Sequence, residues 1–252
     1  MVNPRVELRD ICKSFSTNGQ TVEVLAGVSL RAMPGEFVTI IGPSGCGKST
    51  LFNIIVGLLE PDRGEVLLDG QAVQQRMKWV GYMPQRDLLL PWRTVLDNVI
   101  LALEIAGVPR QEARTEAREL LPLFGLENFA DYYPAALSGG MRQRTALLRT
   151  FLGQKDILLL DEPFGALDAL TRAGLQEWLL GVWARFRQTI LFVTHDVEEA
   201  IFLGDRVYVL SPRPARVKRE LSIPLPRPRH RAMVTAPDFA ALKWELLAAL
   251  GD

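Results

Sequence analysis

The chain has 252 residues, 48% of them hydrophobic and 23% charged, a balance that excludes intrinsic disorder and allows a full buried core. Lys plus Arg and Asp plus Glu both total 29, so no overall field favours nucleic acid. The opening "MVNPRVELRD" puts charge where a signal peptide needs apolar residues, and no uninterrupted apolar run approaches the ~20 residues of a membrane span. A soluble, unexported chain is expected, with Cys12 and Cys46 as thiols in a reducing compartment.

In chain order, the first 80 residues read mainly as strands: Val6 to Ile11, Gln20 to Leu25, Val28 to Ala32, Phe37 to Ile41 and Glu65 to Leu68. The stretches "MPGE" and "LDGQ" are the turns between them. Directly after Phe37 to Ile41 comes "GPSGCGKST", Gly42, Pro43, Ser44, Gly45, Cys46, Gly47, Lys48, Ser49 and Thr50. Glycine costs conformational entropy, so such a cluster marks backbone that must approach something closely. The spacing Gly42, Gly47, Lys48, Ser49 fits GxxxxGK followed by Ser or Thr, whose amides wrap a phosphate chain. Lys48 then reaches the β- and γ-phosphates and Ser49 holds Mg²⁺. A helix from Lys48 to Val56, ending near Gly57, adds its positive dipole end.

From Leu88 the pattern turns helical. "RTVLDNVILALEIAG" carries an apolar stripe at Val95, Val99, Leu103 and Ile105, and "RQEARTEARELLPLFG" sets Ala113, Ala117, Leu120 and Leu121 against a charged face. Beyond this insert, "ILLLDEP" and "TILFVTH" are two buried-strand runs separated by a helix over Leu170 to Phe186, the rhythm of a parallel sheet. From Ser211 the chain interleaves Pro212, Pro214, Pro224, Pro226 and Pro228 with arginines, which reads as a solvated, extended connector in preference to an anionic-lipid contact. A helix from Pro237 to Leu250 closes it. The expected organisation is 1–85, a β subdomain with the first part of a nucleotide-binding core; 86–150, a helical subdomain; 151–210, the second part of the core; and 211–252, the connector and last helix.

A phosphate loop needs partners at the γ-phosphate. "DILLLDEP" delivers Asp161 and Glu162 to the carboxyl end of a buried strand, where ligands sit in open α/β sheets. Asp161 suits Mg²⁺, and Glu162, pointing differently, suits the orientation or deprotonation of a water. "TILFVTHD" brings His195 to the same edge; a lone strand-end histidine is ordinarily a surface residue, but beside these groups a role at the γ-phosphate is expected. "LSGGMRQR" sets Ser138, Gly139 and Gly140 at the head of a helix, a second anion site. Helix capping accounts for the serine but not for two glycines in a first turn.

These motifs resemble the ATP-binding subunits of ABC transporters, in the family's order, from about Val6 to Leu250. "GPSGCGKST" is similar to Walker A, "MPQ" with Gln85 to the Q-loop, "LSGGMRQR" to the signature, "ILLLDEP" to Walker B, "ALD" with Asp168 to the D-loop, and His195 to the switch histidine. The resemblance implies an α/β P-loop NTPase with a mostly parallel central sheet, an N-terminal antiparallel β subdomain and a helical insert. It further implies ATP and Mg²⁺ as cofactors, the metal held by Ser49, Gln85 and Asp161, with catalysis by Lys48, Gln85, Glu162 and His195. Two copies would pack head to tail, the signature of one over the ATP of the other. Phe15 matches the position whose ring stacks on adenine, and Met141 stands where many members have Gln.

"DEPFGALD" and the single phosphate loop resemble importers built from separate subunits. "QRDLLLPWRTVLDNV" looks like the nitrate, sulfonate, taurine and thiamine-precursor branch, where this segment lines the groove for a permease helix; core packing of the same leucines is the competing reading. The partners implied are a second copy, membrane permease subunits and, indirectly, an extracytoplasmic solute-binding protein, with the chain at the cytoplasmic face of the membrane. A small anion is the expected cargo and a pyrimidine-type vitamin precursor the alternative. A small-molecule kinase has no use for "LSGG", a DNA-repair ATPase of this type would carry a long coiled coil, and a binding-only scaffold would be expected to lack Glu162 or His195.

Overall fold

The computed structural model describes residues 3–17, 19–165 and 167–251. In chain order it runs through β1 Val6–Thr17, β2 Gln20–Ala32, β3 Phe37–Ile41, α1 Lys48–Val56, β4 Arg63–Leu68, β5 Gln71–Ala72 and β6 Val80–Met83. Then follow α2 Val95–Val99, α3 Leu101–Ile105, α4 Arg110–Leu120, α5 Gly139–Leu152, β7 Ile157–Asp161 and α6 Ala169–Phe186. The chain finishes with β8 Thr189–Thr194, α7 Val197–Leu203, β9 Arg206–Leu210, β10 Val217–Ser222 and α8 Pro237–Gly251. Among the described residues, no helix is long and apolar enough to cross a membrane.

Two sheets result. An antiparallel sheet has the order β2-β1-β4-β5, and a six-stranded sheet the order β10-β9-β3-β8-β7-β6. The latter is parallel from β9 to β6, with β10 antiparallel on its edge. Its central strands β3, β7 and β8 are buried throughout because both faces are covered, and alternation sends successive side chains to opposite cores. Leu158, Leu160, Ile190 and Phe192 face the core shared with the helical insert, α6 and α8. Ile157, Leu159, Leu191 and Val193 face the core under α1 and the antiparallel sheet. The parallel arrangement brings the carboxyl ends of β3, β6, β7 and β8 to one edge, which is what assembles the site.

Three expectations are corrected here. The two strands expected at Gln20 to Leu25 and Val28 to Ala32 are one, because Gly27, at φ 81°, absorbs an extra residue as a bulge: Ile11 pairs Val28 and Cys12 pairs Ala26. Ile105 is off the buried stripe, 80% exposed, since Val95, Val99 and Leu103 recur every four residues and Ile105 falls out of that phase. The Pro/Arg stretch is no solvated connector. Val217–Ser222 pairs with β9, the Arg227 guanidinium bonds Asp205 and lies 4.2 Å from the Trp183 ring centre, and Arg229 is 4% exposed. Arg229 Nη1 donates to the carbonyls of Ile201, Phe202 and Gly204, capping the carboxyl end of α7, where a cation is favoured.

Candidate nucleotide site

Close packing and left-handed backbone together explain the bare loop between β3 and α1. A Cβ on Gly42 would lie 3.0 Å from the Leu210 carbonyl oxygen, and one on Gly47 2.9 Å from both Val24 Cγ1 and Leu25 Cδ2. Gly47, at φ 123°, stands at the N-terminus of α1, and the loop is pressed onto β2 and β9. Cys46 is buried behind it, its thiol pushed up in pKa by burial. Lys48 is also buried, with Nζ donating to the carbonyls of Gly42 (2.8 Å) and Pro43 (3.1 Å).

In front of the loop opens a cleft of about 450 Å³, lined by Phe15, Ser44, Lys48, Ser49, Gln85 and Glu162 among others. Phe15, from β1, is 39% exposed there with Lys13 Nζ 5.8 Å from its ring centre. Asp161, the last residue of β7, is 3% exposed. Burial pushes its carboxyl above the usual range, opposed by the Ser49 hydroxyl. A buried carboxylate, a serine hydroxyl beside it and the Gln85 amide oxygen are hard donors of the kind Mg²⁺ takes.

Glu162 follows with φ 46°, a left-handed backbone uncommon outside glycine. Its N–H donates to the Val193 carbonyl, so β7 hands the residue across to β8 and its side chain turns to the cleft. Gln85 Nε2 donates to Glu162 Oε2 at 3.2 Å, and His195 Nδ1 lies 3.2 Å from the same oxygen. Oε1 has no partner among the described residues, which leaves it free to take a proton.

Ser138, Gly139, Gly140 and Asp168 do not line this cleft. Ser138 Oγ accepts from the Met141 N–H at 3.3 Å, capping α5. A Cβ on Gly140 would lie 3.0 Å from Thr171 Cγ2 and one on Gly139 3.3 Å from Leu167 Cδ2, so the paired glycines also have a packing reason within the chain. Asp168 caps α6, accepting from the Thr171 N–H at 3.0 Å, and that bond holds its carboxyl below the usual range. Among the leucines after Gln85, Leu89 is 9% exposed while Leu88 and Trp92 are 54% and 72% exposed: core packing and open surface divide the segment between them. Two lining residues were missed from sequence: Val24, an apolar wall from β2, and a charged one. Arg213 reaches the cleft from beyond β9, and its only sequence signal is the pair of flanking prolines.

The family model described as ABC transporter matches residues 25–165. An uncharacterised ABC transporter ATP-binding protein of Methanocaldococcus jannaschii is 45% identical over 98% of this chain and 92% of its own. The taurine import ATP-binding protein of Rhizobium johnstonii is 46% identical over 92% and 90%. Among solved structures, a dimeric ATP-binding cassette in a post-hydrolysis state with ADP and Pi superposes with a TM-score of 0.77, at 33% identity, over 86% of this chain and 98% of that one. On the family match and on these identities over nearly the whole chain, the chain belongs to the ABC transporter family and is one of its ATPases.

Proposed function

We propose that this ATPase powers import of a small sulfonate-like anion through separate permease subunits, by closing head to tail on a second copy of itself at the cytoplasmic face of the membrane. The observation that carries the hydrolytic part is the shared Oε2 of Glu162. Gln85 and His195 both hold it, fixing the carboxylate while Oε1 accepts the proton of the attacking water. His195, with Nδ1 turned to Glu162, keeps Nε2 for the γ-phosphate. Lys48 exchanges its loop carbonyls for phosphate oxygens, and the loop amides orient the chain of phosphates. Ser49, Asp161 and Gln85 would hold Mg²⁺, which when bound neutralises charge on the β- and γ-phosphates. Phe15 stacks on the base.

Closure on a second copy is supported by the separation of the two anion-binding segments. Ser138, Gly139, Gly140 and Asp168 lie off the chain's own cleft, and a head-to-tail partner would bring its own set over the phosphates; the superposing cassette is itself dimeric. Permease docking is supported by exposed Leu88 and Trp92 and by an apolar groove between sheet and insert, lined by Met77, Tyr82 and Ile105 among others. The taurine-import relative supports a small organic sulfonate as cargo, delivered by a solute-binding protein. Glu162→Gln tests the core of this. It keeps the two-sided hold and ATP binding but removes the base, so turnover should fall by about 10²-fold or more and an ATP-dependent dimer should accumulate on size exclusion. Hydrolysis near the parent rate, or a monomer at saturating ATP, would overturn the reading.

A further inference from the structure

Arg213 stands between Pro212 and Pro214, just past β9. It lines the cleft together with Ser44, Gly45 and Lys48. Its Nε donates to the Gly45 carbonyl, and its Nη2 lies 3.0 Å from where a Cβ on Gly45 would stand. The guanidinium therefore rests against the phosphate loop itself. Among the described residues it has no ion pair and no other hydrogen bond, so its outer N–H groups are uncommitted.

Its seat is built. Ala215 is fully buried; its N–H donates to the Val24 carbonyl at 2.8 Å and its carbonyl accepts from Ala26 at 3.0 Å. The Ser211 N–H donates to the Arg216 carbonyl, and the Arg216 N–H to Ser211 Oγ, each at 3.0 Å. The two prolines fix φ on either side of the arginine. Little backbone entropy remains to be lost when this side chain takes a ligand, which is how preorganisation raises affinity.

Lys48 is buried and Glu162 is a lining carboxylate of the same cleft. A nucleoside triphosphate brings several negative charges to a site whose one other lining cation, among the described residues, is Lys48. A planar guanidinium presents parallel donors to phosphate oxygens, a geometry an ammonium lacks. We propose that Arg213 is a second phosphate-binding cation of the nucleotide site, bracing the loop through Nε on Gly45 and gripping the polyphosphate with its outer nitrogens. This rests on the loop being the phosphate cradle.

Titration calorimetry of the full chain with MgATP and MgADP tests it, using Arg213→Ala, Arg213→Lys, Arg213→Gln and, as reference, Lys48→Ala. Arg213→Ala should weaken both nucleotides by about tenfold, the loss of one charge-assisted contact, and the loss should shrink as salt rises. Lys keeps charge and Gln keeps only a donor for the Gly45 carbonyl, so Lys should bind more tightly than Gln; this comparison stands even if the Ala variant fails to fold. An Ala variant within about twofold of the parent, while Lys48→Ala loses affinity, overturns the role of Arg213 alone. Gln binding as well as Lys reduces it to a brace of the loop and overturns the proposal. Parent-like affinity in Lys48→Ala overturns the cradle reading and the proposal with it.

Discussion

Replacing Arg229 by Met would remove one of the ties between the tail and the body of the protein. The two hydrogens of Nη1 are shared among three carbonyls, at 2.9, 3.1 and 2.7 Å, that close α7 and the residue after it. Taken at roughly 2–3 kcal/mol for each of the two N–H groups of a charged donor, they contribute about 5 kcal/mol. Against this stands the cost of burying the charge. Burial, and then the neighbouring charge of Arg227, push the pKa of Arg229 down to about 10 from 12.5, which corresponds to a penalty on the order of 3 kcal/mol. The difference, about 2 kcal/mol, should lower the melting temperature by about 4–8 °C in a chain of this size. Circular dichroism melts of nucleotide-free protein at neutral pH would read it. Exposed Lys218, replaced by Met, is the control and should stay within about 0.5 kcal/mol of the parent. An Arg229→Met melt indistinguishable from that of the parent, or an equal fall in the control, would refute the idea that this guanidinium ties the tail to α7.

Glu199 accepts from Gln176 Nε2 at 2.8 Å and lies in the buried interior, its carboxyl pushed above the ordinary glutamate range by burial. A raised folded pKa means stability present at acid pH is lost as pH rises from the ordinary value to the raised one. The melting temperature of Glu199→Gln minus that of the parent should therefore be larger at mildly alkaline pH than at mildly acid pH; a constant difference would sink the argument. Leu89 and Trp92 should part company. Leu89→Ala should destabilise the isolated subunit by about 2–4 kcal/mol, whereas Trp92→Ala should leave its melting and basal hydrolysis near parental and weaken assembly with the permease; loss of stability in Trp92→Ala would return that residue to the core.

What sequence could reveal was the chemistry carried by neighbouring residues. The loop from Gly42 to Ser49 and the strand-end pair Asp161 and Glu162 are each read from one short stretch, because the backbone conformation and the ligand make their demands locally. Helix α1 was legible to the residue, since Lys48 follows the last loop glycine and Gly57, in a left-handed conformation, stops it. The shared oxygen of Glu162 was not legible: its two partners lie 77 and 33 positions away. The tail was misread for the same reason. Arginines interleaved with prolines have the composition of a solvated linker, and their partners, Gly45, Asp205 and the carbonyls closing α7, are contributed by distant stretches. The paired glycines after Ser138 show the converse, since a feature with a ligand-binding signature also answers to Leu167 and Thr171 packing overhead.

The left-handed backbone at Glu162 sets what kinds of change this chain can accept. A glycine there would relieve a conformational cost of order 1 kcal/mol or more that any other residue must bear. A screen for thermal robustness alone would therefore enrich glycine or asparagine at this one position and, with it, inert protein. Selection for turnover would run the other way, holding an unfavourable dihedral in place for the sake of one carboxylate oxygen. Position 162 is thus a point where hardiness and work pull the sequence in opposite directions, and a library meant to stabilise this subunit should leave it untouched.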